Sequence, residues 1–155
     1  MQERSVAHST FTIERSYPAA PGRVFAALAD PAKKRRWFVE NEASVFEEFT
    51  MDFRVGGQER IRSRIGSGPY VGVPCTNDTT YLDIVLDRRI VLAYSMTLGE
   101  QRISSSLATF ELLAAEAGTV LLFTEQAAFF EGADGPAMRE EGWRLLLDHL
   151  AKELS

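Results

Sequence analysis

Hydrophobic and polar positions along this chain alternate with two different periods, and the places where the period changes divide it into elements. From Phe11 to Tyr17 the period is two, with Phe11, Ile13, Arg15 and Tyr17 on one side and Thr12, Glu14 and Ser16 on the other. This predicts a strand, which Pro18 ends. Pro21 suits a first helical turn, and Val24, Phe25 and Leu28 follow at helical spacing, predicting a short helix that closes near Leu28. Asp30-Pro31 repeats the start signal, an acceptor side chain at the cap followed by a proline that lacks the N–H, so a second short helix is expected over Pro31 to Phe38.

From Ser44 to Phe130 strand follows strand. Alternation predicts Val45 to Phe53, Gln58 to Ile65, Thr79 to Leu86, Ile90 to Thr97, Arg102 to Leu113 and Thr119 to Phe129. Gly56-Gly57, Gly66 to Pro69, Asp87-Arg88, Gly99-Glu100 and Glu116 to Gly118 separate them as turns, which makes an antiparallel meander. The period then returns to that of a helix. Trp143, Leu146, Leu147, Leu150 and Leu154 recur at three- and four-residue steps, after a start signal at Asp134, Gly135 and Pro136. A helix of roughly 20 residues spans about 30 Å. No other element is long enough to cover the apolar face that the sheet would otherwise leave wet, so the expected class is α+β, with the last helix packed across a curved antiparallel sheet.

The length of 155 residues fits a single domain, read as 11–155 behind a polar segment over 1–10. Seventeen basic against 22 acidic residues give a net charge of -5, which argues against nucleic acid and anionic membrane as partners. Cys75 is the only cysteine, so no intrachain disulfide is available and a reducing, cytoplasmic location is expected. The polar start lacks the apolar stretch of a signal peptide, and no apolar run approaches the roughly 20 residues of a membrane span. In that setting Asn77-Asp78-Thr79 is a chance glycosylation pattern. Lys33-Lys34-Arg35-Arg36 reads as a solvated helix face, and Arg60, Arg62 and Arg64 read as the outer face of their strand, with an anion site only if the register were inverted.

Candidate chemistry is sparse. His8 and His149 have no second His or Cys at ligand spacing, so no metal site is expected. Cys75 has no neighbouring histidine to make it a nucleophile. Gly56-Gly57 precedes a strand pattern, which suits a turn or bulge rather than a phosphate cradle. Glu125 shares a face with Leu121, Phe123 and Ala127; it is either a site acid under the helix or a rim or structurally paired carboxylate. The faces expected to look at the helix hold Leu82, Ile84 and Leu86; Ile90, Leu92, Tyr94 and Met96; and Ser104, Ser106, Ala108, Phe110 and Leu112. Hydroxyls among apolar walls suit a ligand pocket, the alternative being serines at strand ends and a core tyrosine with its OH at the surface. Gly142 inside a helix costs about 1 kcal/mol relative to Ala, which either close packing or room for a cavity, with adaptable Met138 a turn earlier, would offset. Trp143 reads as a core anchor in preference to a ligand platform.

Several short stretches also carry a family resemblance: Ile13-Glu14-Arg15, Ala20-Pro21, Val24-Phe25 and Asp30-Pro31 with Trp37; then Asp52 to Gly57; Asp87 to Val91; Gly118-Thr119 with Thr124-Glu125-Gln126; and Glu141-Gly142-Trp143 with Leu147 to Leu150. In this order they resemble the START-like (SRPBCC) superfamily, in the branch of homologues of the activator of heat-shock protein 90 ATPase. The resemblance implies a helix-grip fold, the one seen in birch-pollen allergen, and a site between sheet and long helix. The expected ligand-binding residues there are Trp37, Ile61, Tyr94, Ser106, Phe110, Glu125, Met138, Trp143 and Leu146, with no catalytic residue, metal or cofactor assigned. The leading reading is a module that binds a small apolar or aromatic ligand. The alternatives are a polyketide-cyclase-like enzyme in which an acid such as Glu125 moves a proton, and a co-chaperone-like interaction domain with a protein partner or a second copy of itself.

Overall fold

A computed structural model describes residues 5–40 and 44–155. Seven strands form one fully antiparallel sheet: β1 (Ala7–Tyr17), β2 (Ser44–Met51), β3 (Gln58–Ile65), β4 (Pro74–Val85), β5 (Arg89–Leu98), β6 (Gln101–Ala115) and β7 (Gly118–Phe129). Their order across the sheet is β1-β7-β6-β5-β4-β3-β2, so β2 to β7 are a meander and only β1 departs from it, pairing with β7. Two helices, α1 (Pro21–Ala29) and α2 (Pro31–Lys34), and a π-turn over Arg35–Val39 carry the chain from the β1 edge to the β2 edge. The last element is α3 (Pro136–Glu153), which together with α1 and the π-turn buries the concave face. This is the expected helix-grip architecture.

Four boundaries differ from the sequence reading. β1 starts at Ala7, inside the polar segment, because its backbone ladder follows β7 as far as Phe129 whatever the side chains; the part of that segment before Ser5 lies outside the described residues. β4 starts at Pro74, since Pro74 to Asp78 pair with Arg60 to Arg64. β2 stops at Met51, where the Asp52–Gly57 turn begins: Gly56 has φ +83°, and a Cβ on Gly57 would lie 2.0 Å from the Asp52 carbonyl oxygen. The second helix is α-helical only to Lys34, then widens so that the Glu40 N–H bonds the Arg35 carbonyl at 2.9 Å, which turns both Trp37 and Val39 inward.

A bulge decides which side chains of β4 reach the interior. Tyr81 pairs with Leu92 but Asp83 already pairs with Val91, so Leu82 is the extra residue. Before it, Thr79 and Tyr81 face inward; after it, Ile84 does. Leu82 is 48% exposed and Leu86 is also on the surface, contrary to the uniform alternation read from the sequence.

The interior is closed by an aromatic stack. Trp143 lies 4.2 Å from Phe123, 5.6 Å from Phe38 and 6.0 Å from Phe110, ring centre to ring centre. Leu147, Leu150 and Leu154 continue the α3 stripe into the core around Ile13, Tyr17 and Val24. Among the bonds that hold the last helix in place, the Tyr17 hydroxyl on β1 donates to the Leu147 carbonyl at 2.8 Å, and Arg23 on α1 donates to the Leu154 carbonyl at 2.9 Å. No helix among the described residues is long and apolar enough to cross a membrane.

Candidate functional site: a cavity under the last helix

Where α3 passes over β4 and β5, the interior is not filled. A cavity of about 230 Å³ opens there, beside Gly142, and a Cβ built on that glycine would meet nothing within 4 Å. Gly142 is an exposed position that borders the cavity, so of the two explanations for a glycine inside α3 close packing does not hold, and the room is at the cavity's edge. The apolar wall comes from Phe38, Leu92, Met96, Phe110, Trp143 and Leu146, with Met138 at the rim, 64% exposed.

Two buried ionic clusters border the cavity. In the first, Lys34 donates to Glu59 at 2.7 Å, and the Tyr81 hydroxyl donates to the same carboxylate oxygen at 2.6 Å. The lysine ammonium also lies 4.7 Å from the Phe38 ring centre, within cation–π range. Lys34 is only 6% exposed, so it does not belong to the solvated face read from the basic run; the start of that run turns inward to meet Glu59. Arg35 and Arg36 do face outward, toward Glu40 and Glu153.

The second cluster centres on Arg139. Its guanidinium holds Asp134 through two bonds of 2.9 and 2.8 Å, donates to Ser104 at 2.9 Å, and donates to the Tyr94 hydroxyl at 3.2 Å. Tyr94 in turn donates to Glu125 at 2.5 Å, and the Trp143 indole N–H reaches the same oxygen at 3.0 Å. The other oxygen of Glu125, fully buried, has no hydrogen-bond partner, and Arg139 is 3.7 Å from it. Burial therefore pushes the Glu125 carboxyl above its ordinary value, against the opposing pull of Tyr94, Arg139 and Trp143. Burial also raises the Tyr94 phenol, helped by the charge of Glu125.

The expected site residues divide between wall and surroundings. Tyr94, Phe110, Met138, Trp143 and Leu146 line the cavity. Glu125 lies behind Tyr94 and Trp143 and is not part of the lining. Trp37 and Ile61 are core residues away from it; the Trp37 indole donates to the Ala27 carbonyl at 2.8 Å, a bond that fixes the π-turn on α1. Ser106 is buried next to Tyr94 in the β5–β6 ladder with its hydroxyl unpartnered, and it too is absent from the wall. Ser104 and Ser106 thus do not face water, and the Tyr94 hydroxyl does not reach the surface. Arg60, Arg62 and Arg64 lie on the outer face, paired with Asp78, Glu48 and Glu47.

Lys34, Glu59, Asn77, Thr79, Asp134 and Arg139 also line the cavity, and none was singled out from the sequence as a site residue. Two carried a usable signal. Glu59 precedes Ile61 on the inner face of β3, and Arg139 stands one turn before Trp143 on the apolar stripe of α3. Asn77, the start of the chance glycosylation pattern, lies opposite Ile61 and Met96 and lines the cavity. Cys75 is half-buried, and burial pushes its thiol up rather than down.

Comparison with known proteins places this architecture. The family described as activator of Hsp90 ATPase homolog 1-like protein matches residues 18–155. The chain belongs to this family. Among solved structures it is similar to the Mll3558 protein of Rhizobium loti, at 51% identity over 97% of this chain and 100% of that one, with a TM-score of 0.85. It is also similar to a Rhizobium leguminosarum protein, at 39% identity over 99% and 98% of the two chains, with a TM-score of 0.86. DynU16, from the dynemicin biosynthetic locus, shares the fold: its TM-score is 0.63 at 17% identity, over 98% of this chain and 48% of that one. No curated protein matches the chain. Membership in the activator-homologue family agrees with the seven-stranded sheet and terminal helix described above.

Proposed function

We propose that this member of the family is a binding module for a small, mainly apolar or aromatic molecule, held between the sheet and α3 without covalent chemistry. The observation that carries the reading is the cavity at Gly142. Beside the aromatic stack the interior opens into a space bordered by Gly142, an exposed α3 position without a side chain, and that space combines apolar walls with a few polar groups. The acids on and behind the wall favour binding over a cyclase-like reaction. Glu59 is held by Lys34 and Tyr81, Asp134 is held by Arg139, and Glu125 is screened behind Tyr94 and Trp143, so each is tied to a structural partner instead of aimed at a substrate.

Filling the gap tests the reading. Gly142→Leu replaces an unfavourable helix residue at an exposed position where an added Cβ meets nothing within 4 Å, so it is expected to fold and to melt at or above the wild-type temperature. Small aromatic compounds such as indole and acetophenone should raise the melting temperature of the wild type and leave that of Gly142→Leu unchanged. Equal shifts in the two proteins would refute a site at this cavity.

A further inference from the structure

The polar groups on the cavity wall restrict the chemical class of the molecule, an inference that rests on the binding reading above. Both cations on the wall already have their anions: Lys34 is bonded to Glu59, and Arg139 is bonded twice to Asp134. Among the described residues of the wall, a carboxylate or phosphate entering the cavity would find no free cation and would stand beside two acids. Among the same described residues, a cationic amine would find no free carboxylate. What is left over are hydrogen-bonding valences that these ion pairs do not use. Lys34 has three N–H groups and gives one to Glu59. The Asn77 amide and the Thr79 hydroxyl make no side-chain hydrogen bond to another described residue, although Thr79 is more than nine-tenths buried and both line the cavity.

These groups occupy one end of the space. Thr79 pairs across the sheet with Glu59 on one side and Tyr94 on the other, and Asn77, two residues earlier, lies on the same face of β4. Phe38, Leu92, Phe110 and Trp143 supply the apolar remainder. We infer that the ligand is a neutral, flat aromatic or alicyclic molecule carrying a hydrogen-bond acceptor, of the ketone, quinone or lactone type, whose oxygen is received by Thr79, Asn77 and the spare N–H groups of Lys34. At the packing density of protein interiors, a cavity of about 230 Å³ holds roughly ten non-hydrogen atoms, the size of one substituted ring or a small fused pair.

Three probes of nearly the same shape separate the contributions: acetophenone, with a carbonyl; cumene, with none; and benzoate, with a charge. Binding is followed by calorimetry and by quenching of indole fluorescence. Acetophenone should bind about fivefold to tenfold more tightly than cumene, the worth of one net hydrogen bond, and benzoate should bind more weakly than either. Thr79→Val combined with Asn77→Leu, which leaves only Lys34 to receive the oxygen, should reduce the preference for acetophenone at least about twofold while keeping the affinity for cumene, whereas Gly142→Leu should remove binding of all three. If cumene matches acetophenone, or benzoate binds best, the assigned class is wrong and the binding reading stands. If none of the three binds the wild type, both fall.

Discussion

The two ionic clusters at the cavity are built from similar parts and are completed to different degrees. At Lys34 one acid meets one base, a tyrosine supplies a second donor, and both charged side chains are almost wholly buried. At Arg139 one guanidinium serves Asp134, Ser104 and Tyr94 directly and lies within ion-pair distance of Glu125, which keeps one oxygen without a hydrogen bond. The first is a closed pair. The second is a hub, where each contact depends on the same side chain and one acid stays under-compensated. A closed pair can be exchanged as a unit, while a hub cannot, and the under-compensated acid makes the hub sensitive to pH.

Replacement experiments break this comparison most strongly. Lys34→Met and Arg139→Met should each destabilise the fold by about 3–5 kcal/mol in urea unfolding, because each strands buried charge. The second substitution distinguishes them. Lys34→Met with Glu59→Leu should recover more than half of the loss, since a buried pair exchanged for apolar residues is often nearly neutral. Arg139→Met with Glu125→Gln should recover little, because Asp134, Ser104 and Tyr94 remain without their donor. Equal recovery in the two cases would contradict the distinction between pair and hub.

The pH dependence sharpens it. Because the folded Glu125 carboxyl is raised above its ordinary value of 4.5, the native state holds this proton at pH values where the unfolded chain has lost it. Its contribution to stability is therefore complete below that value and declines as pH rises through the raised folded one. Arg139, Tyr94 and Trp143 face the group, and the charge of Asp134 also acts on it. Measured by urea midpoints from pH 4 to 8, the stability of Glu125→Gln relative to wild type should rise with pH over that window; a constant difference would show that Glu125 does not titrate there. The smallest effect is expected on the surface, where Arg89→Gln, removing the exposed pair with Asp83, should change stability by less than about 1 kcal/mol.

Most of the architecture is legible in the residue pattern because the sheet is one-sided: inner positions of β5, β6 and β7 alternate without interruption from Ile90, Ser104 and Leu121 onward. The misread face of β4 marks the limit of that argument, since a single bulged residue at Leu82 inverts the alternation and nothing in the local composition announces it. The cavity was half legible. Gly142 and the hydroxyl of Tyr94 stood out against their surroundings, but Lys34 was hidden in a run of four basic residues. Which of those turns inward depends on a π-turn and on a carboxylate 25 residues away in sequence. Long-range charge pairing of this kind has no periodic signature.

Gly142 has one further consequence. An alanine there would favour the helix by about 1 kcal/mol and touch nothing, and each larger apolar residue would fill more of the gap. Stability and internal capacity are therefore opposed at a single codon, with the sheet and the stripe of α3 left undisturbed. Under the proposed binding reading, substitution at this one position would resize the chamber without redesigning the building around it.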